Sequence, residues 1–534
     1  MEVTMVDKKP EAEVTNEAYA NKLKELRAQL KLGGGQKRID TQHEKGKQTA
    51  RERIEMLLDE GSFQEINGMM LHRHTDFDLD KNKVMSDGMV TGFGTINGRK
   101  VCVYAQDFTV MGGSFGEVAG QKVARIQDLA MDAGVPVIGI NDGAGARIQE
   151  GVFSLYAYGE VFYRNVQSSG VIPQISVIMG PCAGGAVYSP AITDFIVMTE
   201  GTGNMYITGP AVIKAVTHED VDTETLGGAS THTSISGVAH FSAPTEEGTF
   251  AIVKKILEYI PDNNASTPKV LPTDDSPFRA DKSLQTTVPA DPNTTYNVLD
   301  VINSVVDRGS FFEVHANFAQ NAVVGFARMN GESIGVVANQ PAVMAGVLDI
   351  NSSDKIARFV RFCDSFNIPV LTFTDCPGFM PGTMTEHNGI IRHGAKILFA
   401  YSEATVPVIT VITRKAYGGA YIAMGSKHLK ADMVFAWPGA EITVMGADGA
   451  INILYGRELK TLKESNPEEA SAKRAEILND YKENFSNPYK AAASGYVDEV
   501  ILPEETRQRV IASLDMLRNK VSAAPAKKHG NIPL

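Results

Sequence analysis

The sequence predicts a layered α/β protein made of two related domains, and three observations support this fold class. Short runs rich in valine and isoleucine alternate with amphipathic segments, as at 101–106, 116–133 and 135–140. This alternation is typical of β-α-β units. The same motifs return in the same order in the second half of the chain, and a proline-rich stretch separates the two sets. Duplication of one α/β domain explains all three observations.

Four pairs of matching segments carry the repeat. GFGTING matches GFARMNG, and their residue numbers differ by 325 − 92 = 233. GVPVIGIND, which ends at Asp142, matches NIPVLTFTD, which ends at Asp375, with the same difference of 375 − 142 = 233. PCAGGA matches KAYGGA at 418 − 184 = 234, and GSFQE matches GSFFE at a longer spacing. A common order at a nearly constant offset predicts a duplicated domain.

The domain boundary is predicted from composition. Residues 261–292 contain six prolines among Asp, Asn, Ser and Thr, without an apolar period, which is typical of a linker. We therefore expect an N-terminal domain over 1–275, which begins with a charged helical arm at 19–32, and a C-terminal domain over 276–534. The charged stretch 456–484 is expected to form a solvated helix.

Composition excludes several classes of protein. Of the 534 residues, 43% are apolar and 21% charged, which is ordinary for a globular protein. The formal net charge of 51 − 63 = −12 disfavours binding to nucleic acid or to an anionic membrane. The segment 1–14 contains no apolar stretch of the kind found in signal peptides, and the uncharged run 165–193 is broken by three prolines. We therefore expect a cytoplasmic protein.

The cysteines give no sign of a metal site. Cys102, Cys182, Cys363 and Cys376 form no CxxC pair, and no histidine lies at zinc-ligand spacing from them. Scattered thiols are typical of a reducing compartment. We expect no metal bound by this chain.

Each half contains a Gly-Gly turn that follows a Val/Ile strand and precedes a predicted helix. The turns are Gly184-Gly185 and Gly418-Gly419. Glycine lets a ligand approach the backbone, and the first N–H groups of a helix have no partner inside it. A carbonyl oxygen placed there meets free donors and the positive end of the helix dipole. The turns predict two oxyanion holes; tight helix–strand packing is the structural alternative.

A second loop lies upstream of each turn. It reads DGAGAR from Asp142 in the first half and DCPGFMPG from Asp375 in the second. Both loops follow a buried strand, where α/β sheets bind ligands. The residue numbers of Ala146 and Phe379 differ by 379 − 146 = 233, so each can offer a second backbone donor to the oxyanion hole of its own half. A strained structural turn is the alternative interpretation.

These loops lack the side chains of the common catalytic motifs. They contain no GxSxG, no GxxxxGK[ST] and no GxGxxG between a strand and a helix. Glu150 and Glu386 follow the loops but are more typical of helix starts. Ser189 has no histidine placed to activate it. The pattern favours stabilisation of an enolate by backbone donors over attack by a side-chain nucleophile.

Longer motifs resemble a known family. They are QHEKGKQTARERI, DFTVMGGSFGE, NDGAGARIQEG, GPCAGGAVYSPAITDF, DCPGFMPGT, GIIRHGAK and ITRKAYGGAY. They resemble the carboxyltransferase component of biotin-dependent acyl-CoA carboxylases, and most of all the β chains of propionyl-CoA carboxylases. The resemblance covers the chain after its first 15 or so residues.

The resemblance implies a fold, an assembly and roles for the turns. It implies two tandem crotonase-like domains, the first holding acyl-CoA and the second holding biotin. It also implies a homo-hexamer, a trimer of dimers, with each site formed between the first domain of one subunit and the second domain of another. Gly184 and Gly185 would stabilise the thioester enolate, and Gly419 and Ala420 would hold the ureido oxygen of biotin.

A further set of residues is predicted to contact the substrate. CoA phosphates require cations, and Lys122 and Arg147 are candidates, with internal ion pairs as the alternative. In relatives that prefer propionyl-CoA, an acidic residue commonly follows GGAY, where this chain has Ile422, so the preferred acyl length stays open. The predicted substrate-binding set is Gly113, Ser114, Lys122, Gly145, Arg147, Tyr421 and Ile422.

Partners are expected because the chain contains no Met-Lys-Met biotinylation site and no ATP-binding motif. A biotin carboxylase and a biotin carboxyl carrier protein, on one chain or two, would supply carboxybiotin. The favoured activity is transfer of its carboxyl group to the α-carbon of propionyl-CoA, which gives methylmalonyl-CoA. The alternatives are a methylmalonyl-CoA decarboxylase or transcarboxylase subunit running in reverse, a non-catalytic assembly subunit, and a crotonase-type hydratase. Membrane association is expected only for a decarboxylase pump.

Overall fold

A computed structural model describes residues 15–522 and 525–534. Residues 1–14, on which the argument against a signal peptide rests, lie outside the described residues. Within the described part, two eight-stranded sheets are each flanked by helices. The predicted α/β class is therefore confirmed.

The strands of the first sheet precede residue 244 and those of the second follow residue 311. In the first sheet they are β1 (Gln64–Glu65), β2 (Met89–Ile96), β3 (Arg99–Gln106), β4 (Val137–Gly143), β5 (Gln174–Ala183), β6 (Phe195–Thr199), β7 (Asn204–Tyr206) and β8 (Phe241–Ala243). In the second they are β9 (Phe312–Val314), β10 (Ala322–Met329), β11 (Glu332–Asn339), β12 (Val370–Cys376), β13 (Val408–Tyr417), β14 (Met433–Ala436), β15 (Glu441–Thr443) and β16 (Glu499–Val500).

The helices connect these strands and cover the sheets. Before residue 260 they are α1 (Asn16–Lys31), α2 (Gln36–Glu44), α3 (Ala50–Leu57), α4 (Glu117–Ala133), α5 (Val152–Ser168), α6 (Tyr188–Ile192), α7 (Pro210–Thr217), α8 (Thr223–Gly227), α9 (Ala229–Ser234) and α10 (Glu246–Tyr259). The later helices are α11 (Leu284–Thr287), α12 (Val298–Val305), α13 (Ile350–Ser365), α14 (Thr383–His387), α15 (Ile390–Glu403), α16 (Gly418–Ala423), α17 (Ala447–Leu454), α18 (Gly456–Ser465), α19 (Pro467–Asn484), α20 (Pro488–Ala493) and α21 (Thr506–Leu517).

The two sheets share one topology. The first has the order β1-β2-β3-β4-β5-β6-β8 with β7 beside β5, and the second has the order β9-β10-β11-β12-β13-β14-β16 with β15 beside β13. The first three strands of each sheet pair antiparallel and the later ones pair parallel. The central parallel strands are buried on both faces, which is why they are continuous Val/Ile runs without alternation.

The copies differ by two insertions. The segment 66–88 between β1 and β2 is much longer than 315–321 between β9 and β10, which explains the longer spacing of GSFQE and GSFFE. Within the described residues, the α18–α19 pair belongs to the second half alone. The single helix expected at 456–484 is wrong, because Pro467 lacks an N–H and begins a new helix after Asn466, whose side chain accepts from the Glu469 N–H at 3.3 Å.

A shared apolar core joins the two halves. Phe195 of β6 packs against Phe362 of α13 with ring centroids 4.7 Å apart, and against Phe326 of β10 at 6.0 Å. His240 and His315 stack across the same boundary at 4.2 Å. Residues 260–297, which include the proline-rich stretch, contain one short helix, α11, and the boundary at 275 stays a prediction.

Candidate active site

The first Gly-Gly turn lies at the carboxyl end of β5. Gly184 has φ +65°, a left-handed conformation that favours glycine, and it turns the chain into a 3₁₀ segment that leads to α6. The φ of Gly185 is outside that region, and a methyl group built on it meets nothing closer than the Tyr158 ring at 3.9 Å. Neither backbone strain nor packing requires glycine at 185. The space beside this amide is open to a ligand.

The second turn repeats this arrangement at the carboxyl end of β13. Gly418 has φ +56° and begins α16. Gly419 is exposed, its φ is again outside the left-handed region, and a methyl group built on it meets no described atom within 4 Å. Ala420 follows as a fully buried residue that anchors the helix. The structural alternative of tight packing at Gly-Gly therefore does not account for Gly185 or Gly419.

The upstream loops present a second amide beside each turn. The N–H of Phe115 donates to the Gly145 carbonyl at 2.8 Å, and the N–H of Arg147 donates to the Phe115 carbonyl at 2.9 Å. This parallel bridge uses the groups on both sides of Ala146 and leaves the Ala146 N–H directed away from Phe115. Because β4 and β5 are paired neighbours, the loop stands next to Gly184-Gly185.

The same bridge occurs in the second half. The N–H of Leu348 donates to the Gly378 carbonyl at 3.0 Å, and that of Met380 donates to the Leu348 carbonyl at 2.7 Å. The N–H of Phe379 therefore points away from Leu348, as that of Ala146 points away from Phe115. The structure thus places each predicted pair of donors at the carboxyl ends of two neighbouring central strands. Their role in binding an oxyanion stays a prediction.

The sequence reasoning missed the residues that hold these loops. The N–H of Asp142 donates to the Gln106 side chain at 3.0 Å, and the Gln106 amide donates to the Gly113 carbonyl at 3.2 Å. In the second half Asn339 binds the Asp375 N–H at 3.3 Å and the Gly346 carbonyl at 3.1 Å. The signal was present, because Gln106 and Asn339 are equivalent positions of the repeated segments YAQD and VANQ, with 339 − 106 = 233.

The structure contradicts Lys122 as a contact for CoA phosphates. Its side chain is buried on α4, and its ammonium donates to the carbonyls of Ser86 (3.1 Å) and Met89 (2.5 Å). Burial lowers the pKa of Lys122 to about 8. Lys355, the equivalent position of the repeat, is buried in the same way and donates to the Ala322 carbonyl at 2.7 Å. Both lysines tie a loop to the start of a strand.

Arg147 is also an internal residue, which contradicts its prediction as a phosphate contact. Its guanidinium is fully buried and pairs with Asp87 at 2.6 Å and Glu150 at 2.8 Å. Its Nε donates to the Ser114 hydroxyl at 3.2 Å. These partners satisfy the charge inside the subunit. Glu150 also accepts from the N–H of Glu117 at 2.6 Å, at the start of α4 and not of the helix that follows Glu150 along the chain.

The other predicted substrate contacts lie near the first loop or on α16. Gly113 is buried against the Asp142 carbonyl, Ser114 is half-buried, and Gly145 forms the bridge described above. Tyr421 is buried, and its hydroxyl has no hydrogen-bond partner in the described part of the chain. Ile422 is 38% exposed and follows Gly419 by about one turn of the same short helix. These contacts stay predictions.

The hydroxyl groups of Ser189 and Tyr417, which lie beside the two turns, are engaged by other side chains. The Ser189 hydroxyl is buried and donates to the Asn165 side chain at 2.8 Å. Tyr417, immediately before the second turn, donates its hydroxyl to Glu441, and burial together with that carboxylate raises the pKa of Tyr417 well above its usual range. The arrangement can stabilise negative charge on an oxygen through backbone amides.

Neither a metal-binding cluster nor a membrane-spanning helix occurs in residues 15–522 and 525–534. No group of three or more His, Cys, Asp or Glu side chains in these ranges is arranged to share a metal ion. The four cysteines are free and buried. None of the helices in these ranges combines the length and the apolar character that a bilayer crossing requires.

The fold and the loops define a duplicated α/β enzyme that places a pair of backbone amides at the edge of each sheet. The chain belongs to the family described as carboxyl transferase domain, which matches residues 41–532. It is 56% identical over 521 residues to the propionyl-CoA carboxylase carboxyltransferase subunit of Haloferax mediterranei, covering 98% of this chain and 100% of that protein. The family resemblance expected from the motifs is confirmed.

Two further similarities concern relatives that carry other names. The methylmalonyl-CoA decarboxylase subunit alpha of Veillonella parvula is 54% identical, over 96% of this chain and 98% of that protein. The crystal structure of transcarboxylase 12S, described as a hexamer assembly with methylmalonyl-CoA bound, has a TM-score of 0.94 at 51% identity and covers 98% of this chain and 99% of its own. The expected pair of tandem crotonase-like domains is confirmed by this match.

Proposed function

We propose that this chain is the carboxyltransferase component of a biotin-dependent acyl-CoA carboxylase. It would move the carboxyl group of carboxybiotin to the α-carbon of propionyl-CoA, giving methylmalonyl-CoA. The observation that carries the proposal is the pair of turns with open space beside Gly185 and Gly419, each next to a loop with a free-pointing amide. A transfer between two carbonyl compounds develops negative charge on two oxygens, and the chain offers two matching sets of donors.

The first set of donors would bind the thioester oxygen of the acyl-CoA. The amides of Gly184 and Gly185 precede α6, where N–H groups lack partners inside the helix, and Ala146 adds a donor from the neighbouring loop. Negative charge on this oxygen rises as the α-proton leaves. Donors fixed by backbone structure stabilise that charge without reorganising, and each is worth about 10²–10³ in rate.

The second set would bind the ureido oxygen of biotin. Gly419 is exposed and unobstructed, so a planar ring can approach its amide and that of Ala420, with Phe379 on the adjacent loop. These residues fit a neutral carbonyl group because they supply hydrogen-bond donors, and the nearby Glu441 carboxylate is engaged by Tyr417.

The candidate side chains beside the first turn already have internal partners, which fits chemistry that needs no side-chain base. When bound, carboxybiotin would supply the carboxyl group and a basic ureido nitrogen. The chain's part is to orient the two carbonyl groups, exclude water and stabilise charge. Ser189 and Glu150, the candidate nucleophile and base of the first half, are already engaged by Asn165 and Arg147.

An oligomer in which two subunits complete each site is part of the proposal. Exposed apolar side chains follow the donor loops and turns along the chain: Ile148, Val152, Leu155, Ile207 and Val212 in the first half, and Met384, Ile391, Val444, Ile453 and Leu454 in the second. We propose that these side chains lie in the contacts between subunits, where they would be covered. The proposed assembly is a homo-hexamer, which works in the cytoplasm with a biotin carboxylase and a biotin carboxyl carrier protein.

The reverse reaction is the second candidate. The transfer step has the same two anions in either direction, and the decarboxylase subunit of Veillonella parvula is nearly as similar as the carboxylase subunits. ATP-dependent fixation of labelled bicarbonate by the complex supports carboxylation. Release of CO₂ from methylmalonyl-CoA coupled to a membrane pump supports the alternative.

The experiment uses the purified full chain with carboxylated biotin and acetyl-, propionyl- and butyryl-CoA in parallel. We expect transfer to propionyl-CoA by the wild type and its loss in Gly185→Val and Gly419→Val. Gly439→Val is the matched control, because Gly439 is exposed, has no described neighbour within 4 Å of a built methyl group and belongs to neither turn. Absence of transfer by folded wild type from a competent donor would support the assembly-subunit alternative. The relative rates with the three acyl-CoAs show which acyl length is preferred, the question that Ile422 leaves open.

A further inference from the structure

The two donor loops each begin with a buried aspartate, Asp142 at the penultimate position of β4 and Asp375 at that of β12. Asp142 lies four residues before Ala146, and Asp375 four residues before Phe379. Both carboxylates are almost fully buried, at 0% and 1% exposure of the side chain. A buried carboxylate must be paired. The source of the paired cation differs between the halves.

In the first half the cations come from the segment that leads into α3 and from α3 itself. The Lys47 ammonium binds the Asp142 carboxylate at 2.7 Å. The Arg53 guanidinium binds it at 2.7 Å and also holds Glu246 of α10 at 2.6 Å. Gly180 of β5 lies against this group: a methyl group on it would stand 1.8 Å from Asp142 Oδ1 and 2.8 Å from Lys47 Nζ. Glycine at 180 leaves the room that the carboxylate and the lysine occupy.

In the second half the position of Gly180 is taken by Arg414, since 414 − 180 = 234 is also the spacing of the Gly-Gly turns. The Arg414 Nε donates to Asp375 at 2.9 Å, and Lys415 Nζ stands 3.5 Å from the same carboxylate. Both side chains then bind carbonyls of the segment that leads into α12. The Arg414 guanidinium binds that of Thr294 at 2.8 Å, and Lys415 binds that of Pro292 at 2.9 Å.

The two halves therefore make the same connection, but the basic side chain that makes it comes from a different element in each half. Each joins the segment before a core helix of its domain to the aspartate behind its donor loop. In the first half the basic side chain, Lys47, lies in the segment before α3 and binds Asp142. In the second half the basic side chain, Arg414, lies on β13 and binds both Asp375 and the segment before α12. Such a connection on both copies, built from unrelated residues, points to a requirement of the loops.

We propose that Lys47 is a positioning residue for the loop that carries Ala146, and that Lys415 has the same task for the loop that carries Phe379. This inference rests on the proposed function for its effect on transfer. Lys47 is 7% exposed and binds Asp142 from within the subunit, so it acts through that aspartate. Asp142 holds the loop at its first residue, where a displacement is passed to the amide four residues on.

The test compares Lys47→Met with Lys415→Met in the full-length protein. Hydrogen–deuterium exchange is measured for peptides covering 143–147 and 376–380, and transfer from carboxybiotin to propionyl-CoA is measured in parallel. We expect Lys47→Met to speed exchange in 143–147 and to leave 376–380 at the wild-type rate, and Lys415→Met to do the reverse. Transfer by Lys47→Met should fall about tenfold to a hundredfold, because a donor that is misplaced by a fraction of an ångström loses part of its contribution.

Two variants serve as controls. Lys45→Met removes an exposed lysine two residues from Lys47 and should change neither exchange nor transfer. Lys47→Arg keeps the charge and should restore both. Arg53 still pairs Asp142 in Lys47→Met, so the variant retains a buried ion pair and is expected to fold.

Equal exchange in Lys47→Met and Lys45→Met, or equal acceleration of both loops by Lys47→Met, would overturn the proposal. If Lys47 only stabilises the fold, Lys47→Met would accelerate exchange equally in both loops and lower the melting temperature. If the wild type itself fails to transfer, the proposed function fails, whereas loop-specific exchange still decides whether Lys47 positions its loop.

Discussion

Ala146 and Phe379 occupy the same place in two copies of one loop, with their amides facing away from the bridges to Phe115 and Leu348. The side chains share nothing, since one is a methyl group and the other an aromatic ring. What the two positions share is a backbone N–H that the flanking hydrogen bonds leave free. The repeat has therefore kept a main-chain donor at a position where the side chain was free to change.

Replacement of Ala146 by proline tests that donor, because proline has no N–H. We expect Ala146→Pro to lower kcat for transfer to propionyl-CoA by about 10²–10³, the usual effect of losing one oxyanion donor. Ala144→Pro is the matched control. It removes the Ala144 N–H bond to the Gly112 carbonyl (3.0 Å), and its counterpart in the second half is already Pro377. The same loss of kcat in both variants would mean that distortion of the loop, and not the missing donor, is responsible.

Arg53 is expected to contribute strongly to stability. Its side chain is 1% exposed and pairs with both Asp142 and Glu246. Removing one partner of a buried ion pair costs about 3–5 kcal/mol, so Arg53→Met should lower the melting temperature by several degrees. Lys81→Met breaks a surface pair with Asp78, in which the side chains are 69% and 71% exposed, and should leave the melting temperature unchanged. A wild-type melting temperature in Arg53→Met would contradict this assignment.

Lys122 predicts a pH dependence of stability. Burial lowers its pKa in the folded protein to about 8, from 10.5 for an exposed lysine. Between these values the unfolded chain binds the proton and the folded chain does not, so the free energy of unfolding rises with pH through this window. The free energy of unfolding of the wild type, relative to that of Lys122→Met, should therefore rise by up to about 3 kcal/mol between pH 8 and pH 10.5. Urea unfolding of both proteins over this range measures it, and a constant difference would show that Lys122 keeps an ordinary pKa.

The four cysteines are expected to be unreactive in the folded protein. Burial raises the pKa of Cys102 to about 11 and those of Cys182 and Cys376 to about 12, and it raises the pKa of Cys363 as well. Since the thiolate is the reactive form, a disulfide reagent at neutral pH should modify the native protein far more slowly than the protein in urea, where four thiols per chain should react. Rapid modification of a thiol in the native protein, together with loss of carboxyl transfer, would place a cysteine at the active site.

The fold class, the duplication and the order of the motifs were predictable from the sequence. They depend on hydrophobic periodicity and on segments repeated at a fixed offset, and both are visible in the sequence without knowledge of which residues touch. The Gly-Gly turns were found in the same way, since a strand, two glycines and a helix are contiguous. The helical arm predicted at 19–32 is observed as α1, Asn16–Lys31, because its period is also local.

The partners of buried charges were decided only by the tertiary structure. Lys122 and Arg147 have the charge that a phosphate requires, and nothing in their neighbours along the chain shows that Met89 and Asp87 already engage them. The same holds for Lys47, whose partner Asp142 is far away along the chain. The sequence by itself determined where this protein places strands, turns and backbone donors. Whether a cation faces solvent or a buried carboxylate depends on contacts between distant segments, and those exist only once the sheets have packed.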